Sequence, residues 1–218
     1  MTTRPTAPGE ALPVPRKPSP WLLAVIGTAL VGAAVVAAFA AWMLLRPPSF
    51  VGTRLEPPRE ALDFQLTDQF GQKVRLSAFS PGVVVLTFIY TSCQDLCPLT
   101  TAKLHRARAL LGRDAQRVTF LAVTVDPERD TVERLQDYSR QYDMVDKWHF
   151  LTGGKAELEP LWLYYWVGEV RTVKDGEGKS VVEHSAPIHV IAQGQVQLVY
   201  GESFQASDLA HDLRLLLR

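Results

Sequence analysis

The apolar pattern changes character along the chain. From Trp21 to Leu45, 25 residues pass without a charged side chain, rich in Ala, Val and Leu. At ~1.5 Å rise per residue that is roughly 37 Å of helix, longer than the ~30 Å apolar core of a bilayer. The pattern predicts a transmembrane anchor over residues 21–45. Residues 1–20 carry six prolines and little apolar periodicity, as expected of a disordered tail. Arg46-Pro47-Pro48 stops the helix, and Pro57-Pro58 continues a proline-rich stalk, read here as residues 46–61. Residues 62–218 are then one domain, large enough for a core of its own.

Within that domain strand-like and helix-like periods alternate. Asp63 to Thr67 alternates like a half-buried strand, and Asp68-Gln69-Phe70-Gly71-Gln72 turns the chain back into Lys73-Val74-Arg75-Leu76, an N-terminal β-hairpin. Val83–Tyr90 and Val118–Val125 are almost unbroken apolar runs, as expected of strands covered on both faces. Between them Leu99, Leu104, Ala107, Leu110 and Leu111 form a helical stripe, with Pro98 in its first turn and Gly112 at its end. Asp130 with Glu133 three residues later predicts a capped helix running to Tyr142. Phe150 to Thr152 reads as a third strand and Glu157 to Val167 as an aromatic-rich helix containing Pro160. Gly168 to Ser180 reads as a loop or hairpin. A last hairpin, Ile188–Ala192 and Val196–Tyr200, turns over Gln193-Gly194, and Ser207 caps a closing helix. This order predicts an α/β fold: a thioredoxin-like sandwich, its central mixed sheet carrying helices on both faces, with an extra N-terminal β-hairpin and one preceding transmembrane helix.

Charge narrows the partners. Lys and Arg number 23, Asp and Glu 23, so the formal net charge is zero, without the basic footprint of a nucleic-acid binder. Arg16-Lys17 and Ala38-Phe39-Ala40 fit a cleaved leader in part, but the apolar run continues past that site, which favours an uncleaved anchor. No cysteine directly follows the span, which excludes a lipid-modified one there. Basic residues tie, three before the span and three shortly after it, so the positive-inside count gives no orientation. The short N-terminal tail does: it predicts a single-pass protein of the cell membrane with its C-terminal domain on the extracytoplasmic side.

Chemistry concentrates in Thr91-Ser92-Cys93-Gln94-Asp95-Leu96-Cys97-Pro98, which holds the only two cysteines of the chain. Cys93 and Cys97 stand four apart at the end of a strand and the start of a helix. There they share a face, and the helix N-terminus favours thiolate. A structural disulfide across so short a loop would stabilise little. Two functions stay open on the residues alone. Dithiol oxidoreductases usually place two residues between their cysteines, and here there are three. The wider gap better suits two sulfurs on a soft metal with an imidazole as third ligand, a set that favours copper and tolerates zinc. Of the five histidines, His105 and His211 sit among charged neighbours on helices, and His149 leads into a strand. His184 and His189 flank the start of the strand Ile188–Ala192, whose entry lies across from the cysteine turn. Both are candidates, His184 on a loop that can reach the thiols and His189 on the strand itself.

Several segments together resemble the Sco/SenC family. They are Asp63-Phe64-x-Leu66-x-Asp68-x-x-Gly71, Tyr90-Thr91-x-Cys93-x-Asp95-x-Cys97-Pro98, Val125-Asp126-Pro127-Glu128-Arg129-Asp130-Thr131, Phe150-Leu151-Thr152-Gly153 and Val182-Glu183-His184-Ser185. The family consists of membrane-anchored, thioredoxin-fold copper chaperones of cytochrome c oxidase. The resemblance implies that Cys93, Cys97 and His184 ligate copper, Cu(I) or Cu(II). It further implies that the protein delivers copper to the dinuclear copper site of oxidase subunit II, reduces the cysteines there, or both. The alternative is a thiol–disulfide oxidoreductase that uses Cys93 and Cys97 as a redox pair on exported proteins without moving metal. The chain departs from the family pattern at Gln94, where Pro commonly follows the first cysteine, and at Ala186-Pro187, which interrupts the strand after the histidine and keeps His189 in play as a substitute.

Overall fold

The computed structural model describes residues 19–45, 49–167, 170–174, 180–183 and 185–218, in two compact units that part between Pro48 and Ser49. The first is a single helix, α1 (Pro20–Leu45). From Leu23 onward it is long and apolar enough to cross a membrane by length and composition, and its Leu, Val, Phe and Trp side chains point outward, exposed.

The second unit is built on a six-stranded mixed sheet in the order β1-β10-β9-β4-β5-β6. The two uninterrupted apolar runs form β4 (Val83–Ile89) and β5 (Val118–Thr124), paired in parallel from Val83↔Val118 to Ile89↔Thr124. All seven residues of β4 are buried, as a central strand requires. A third parallel strand, β6 (His149–Leu151), joins β5, and α2 (Leu96–Leu111) and α3 (Val132–Gln141) make the two crossovers. Right-handed crossovers in one direction place both helices on the same face, and a hydrogen bond of 2.9 Å between the Thr101 and Tyr138 hydroxyls joins them. On the opposite face α4 (Lys155–Tyr164) ends on Tyr165, whose ring packs against Phe88 of β4. The sheet continues antiparallel through β9 (Ile188–Ala192) and β10 (Gln195–Tyr200). Their turn has positive φ at both Gln193 and Gly194, the backbone that a tight hairpin needs. α5 (Ala206–Leu216) packs beside α2. The hairpin β2 (Gln65–Thr67) and β3 (Lys73–Arg75) stands apart from the main sheet, as does the pair β7 (Arg171–Lys174) and β8 (Ser180–Glu183). The fold is the expected thioredoxin-like sandwich with its N-terminal hairpin.

Four details differ from the reading of the sequence. Part of the expected stalk is β1 (Thr53–Glu60), an edge strand on β10. Its register breaks between Arg54 and Arg59, around Pro57 and Pro58. An edge strand has a free side on which a missing N–H costs nothing, so a Pro-Pro pair is tolerated there. Arg59 fastens the strand to α4: its guanidinium stacks 3.6 Å from the Tyr164 ring centroid and donates to the Tyr164 carbonyl. Second, α3 is capped by Thr131, whose hydroxyl accepts from the Arg134 amide, rather than by Asp130. Third, α5 begins after Gln205 with no side-chain cap, and the Ser207 hydroxyl bonds Asp208 instead. Fourth, Leu99 is outside the buried stripe of α2, which runs Cys97, Thr100, Thr101, Leu104, Ala107, Leu111, and is itself half exposed.

Candidate functional site

The cysteine turn leaves the buried end of β4 at Tyr90 and enters α2 at Leu96. Cys97 falls on the inner face of the helix and is 1% exposed, its carbonyl accepting from the Thr101 hydroxyl at 2.8 Å. Cys93 lies on the turn, partly exposed. Both are free thiols, and the Cys97 amide donates to the Cys93 sulfur at 3.4 Å. That amide is one of the helix's unpaired first-turn N–H groups, so Cys93 receives a donor that the helix cannot use itself.

The two thiols are therefore unequal. The Cys97 thiol donating to Cys93 is the largest influence and pulls Cys93 down to about 5; burial opposes it, and the amides of Cys97 and Asp95 and the Tyr90 side chain add to it. Cys97 is pushed far up, first by holding that proton against Cys93, then by burial. One thiolate and one thiol share a proton-bearing contact, which presents a nucleophile or soft ligand toward solvent with a buried partner behind it.

Beneath the turn lies a carboxylate that the sequence presented as a helix cap. Asp130, 1% exposed, accepts from the Thr91 amide at 3.2 Å, the Thr91 hydroxyl at 2.5 Å and the Thr124 hydroxyl at 2.5 Å. Burial raises it most, against the lowering by the hydroxyls of Thr124 and Thr91. The Thr124 hydroxyl in turn accepts from the Asp126 amide at 2.9 Å, and the Asp126 carboxylate takes Arg129 at 2.5 Å. Residues 126–131 thus form a network under the dithiol as well as a turn. The pattern held one usable signal. Asp130 and Thr131 are both good cap residues and one helix start uses only one of them, which frees the other for a different partner.

The histidines separate clearly. His105 is half-buried and pairs with Asp143 at 3.2 Å; His211 is an exposed residue of α5. Nδ1 of His149 lies 3.0 Å from the buried Asp68 carboxylate, whose other oxygen accepts from the amides of Phe70 and Gln72. His189 is paired with Leu86, inside the sheet, 1% exposed, with Nε2 2.8 Å from the Tyr165 carbonyl and Nδ1 without a partner. The rings of Tyr165 and Trp166 pack around it, and burial pulls it down to about 4. His184 lies outside the described residues. Its neighbour Ser185 donates its amide to the Val167 carbonyl and its hydroxyl to that of Trp166. The chain then enters β9, which runs antiparallel to β4, so that entry is at the end of the sheet where β4 delivers the cysteines. Among the described residues no three His, Cys, Asp or Glu side chains converge as a metal cluster. Asp95, between the cysteines, is exposed.

Fold and site define a thioredoxin-like protein with a reduced dithiol at the head of its first domain helix. Comparison with known proteins then gives the lineage: the SCO1/SenC family model matches residues 53–218, the span from β1 to the last residue, and the chain belongs to that family. It is 28% identical over 160 residues to a SCO1 protein homolog of Bacillus subtilis, covering 71% of this chain and 81% of that one. Among solved structures it is similar to copper-bound Bradyrhizobium japonicum ScoI, with a TM-score of 0.64, 26% identity and 72% and 99% of the two chains covered. It is also similar to BsSco, described as a member of the Sco family of cytochrome c oxidase assembly proteins and as carrying a disulfide switch, with a TM-score of 0.61, 27% identity and 75% and 95% covered.

Proposed function

We propose that the protein is a copper carrier of cytochrome c oxidase assembly, holding copper as cargo on Cys93, Cys97 and His184 and passing it to the dinuclear copper site of subunit II. The observation that carries the reading is the Cys93–Cys97 contact, which offers one ready thiolate and a second sulfur one helical turn away, a soft donor pair suited to copper. Copper bound to a relative of the same fold, B. japonicum ScoI, supports it. His184 is assigned as third ligand on its motif and on the course of Ser185 into β9 at the cysteine end of the sheet. His189 is the poorer choice, since its Nε2 already bonds Tyr165 and its ring is enclosed. In this reading α1 crosses the cell membrane and the domain stands on the extracytoplasmic side.

Titration of the reduced full-length protein with copper tests the ligand set. We expect one copper per chain in the wild type and loss of at least tenfold in affinity for Cys93→Ala, Cys97→Ala and His184→Ala. Retention of wild-type affinity in any of the three removes that residue from the set, and absence of binding in the wild type ends the carrier reading.

The inequality of the two thiols supports a second reading, a thiol–disulfide oxidoreductase in which Cys93 attacks and buried Cys97 resolves. Reduction of a target disulfide that is undiminished in His184→Ala, with no copper held by the wild type, favours it.

A further inference from the structure

The Asp130 network does something that neither helix capping nor turn chemistry requires. Thr91 is the second residue beyond β4, after the buried Tyr90, and stands two residues before Cys93. Its amide and its hydroxyl both donate to the Asp130 carboxylate, from 39 residues further along the chain. The same carboxylate takes the hydroxyl of Thr124, the last residue of β5. Adjacent parallel strands thus end on one buried anion, and the cysteine turn departs from a residue held at two points. Both attachments of Thr91 run to one side chain, that of Asp130, so removing that side chain frees Thr91 from both. Among the described residues no other side chain bonds to Thr91.

We infer that Asp130 is the positioning residue of the dithiol, fixing Thr91 so that Cys93 is presented over Cys97 at the spacing that both disulfide formation and two-sulfur ligation need. The inference deepens the proposed function, but its first readout does not depend on copper. In the redox equilibrium two glutathione thiols reduce the Cys93–Cys97 disulfide, giving two protein thiols and one glutathione disulfide. A turn held at Thr91 favours the closed disulfide because the two sulfurs start close. A released turn, and one fewer buried negative charge beside the thiols, both favour the open dithiol. Asp130→Asn separates the two causes. Its amide oxygen can still accept from Thr91, and its NH2 can donate to the Thr124 hydroxyl, so position is kept while charge is lost.

The experiment measures the disulfide fraction of the full-length protein across glutathione redox buffers by thiol trapping. We expect Asp130→Ala to move the equilibrium constant at least about tenfold toward the dithiol, about 30 mV for a two-electron couple. We expect Asp130→Asn to stay within about threefold of wild type. Thr91→Val, which removes only the hydroxyl, moves in the same direction as Asp130→Ala and carries the test if the alanine variant does not fold. An equilibrium within twofold of wild type in Thr91→Val, or in a folded Asp130→Ala, overturns the inference. So does an Asp130→Asn variant that shifts as far as alanine, since charge and not position would then be the cause. Copper titration of the same variants separates the two levels. A wild type that binds no copper while these shifts occur sinks the carrier reading and leaves the positioning role standing.

Discussion

The Cys97 amide nitrogen stands 3.4 Å from the Cys93 sulfur, and that contact, with the thiol proton beside it, fixes which cysteine reacts. In the metal-free reduced protein, alkylation by iodoacetamide should fall on Cys93 and should rise with pH through a midpoint near 5, well below an ordinary thiol; Cys97 should be spared. Between about 5 and the unfolded thiol value of 9.0 the folded pair holds one proton where the unfolded chain holds two. The unfolded state binds more protons, so stability rises with pH across that window, and the contribution is lost as pH falls through 5. Peptide mapping after timed alkylation at several pH values checks this. A midpoint above about 8 contradicts it.

His189 gives a second dependence on pH, in a different window. Its folded value is about 4 against 6.5 for a free imidazole, with burial as the leading cause. A lowered value means that the folded state refuses a proton which the unfolded chain accepts below 6.5. Stability from this group is therefore complete above 6.5 and is lost as pH falls toward 4, by at most about 3 kcal/mol. His189→Leu should flatten that part of the stability profile, measured by urea unfolding from pH 7 to 4. A slope unchanged in the variant would assign the acid sensitivity to other groups.

Asp212 tethers the start of the domain. Fully buried on α5, it accepts from the amides of Val51 and Gly52 at 2.9 and 2.8 Å and from the Tyr200 hydroxyl at 2.5 Å. Asp212→Ala strands three donors and should cost about 3 kcal/mol. For a domain of this size that corresponds to a fall in Tm of roughly 6–12 °C, read by thermal denaturation of the full chain in detergent. A drop of less than about 2 °C would mean that water replaces the carboxylate.

Gly153, after β6, has no room for a side chain. A Cβ there would meet the Leu66 methyl at 2.7 Å and the Glu157 carboxylate at 3.1 Å, and Leu66 is itself buried. Gly153→Ala should cost about 1–3 kcal/mol by overpacking and leave the reactivity of Cys93 unchanged. Chemical denaturation alongside the alkylation assay tests both halves.

The strands β4 and β5 were legible because their apolar runs are long and uninterrupted, and the dithiol because it holds the only cysteines of the chain at the end of one of them. β1 was not: Pro57-Pro58 signals a broken chain, and only the distant pairing partner, 144 residues away in sequence between Arg54 and Leu198, makes it a strand. Asp130 was misassigned for a related reason. A local pattern, Asp followed by Glu three residues on, explained it fully, while its real partners are Thr91, on the cysteine turn, and Thr124, at the end of β5. Local rules see neighbours along the chain, and both misreadings concern residues whose partners are distant. Leu99 erred differently, since its spacing fits the stripe and only the position of the helix against the sheet turns it outward.

The prolines of β1 have one more consequence. A sheet normally invites a foreign strand at each margin. Here one margin carries Pro57 and Pro58 with a break in register. The other is a strand of three residues, β6, flanked by the Thr67–Thr152 bridge to the N-terminal hairpin. Neither offers an even row of amides and carbonyls for a visitor to copy. Strand addition is therefore disfavoured at both margins of the main sheet, and two copies of the domain have no even backbone row there through which to zip together.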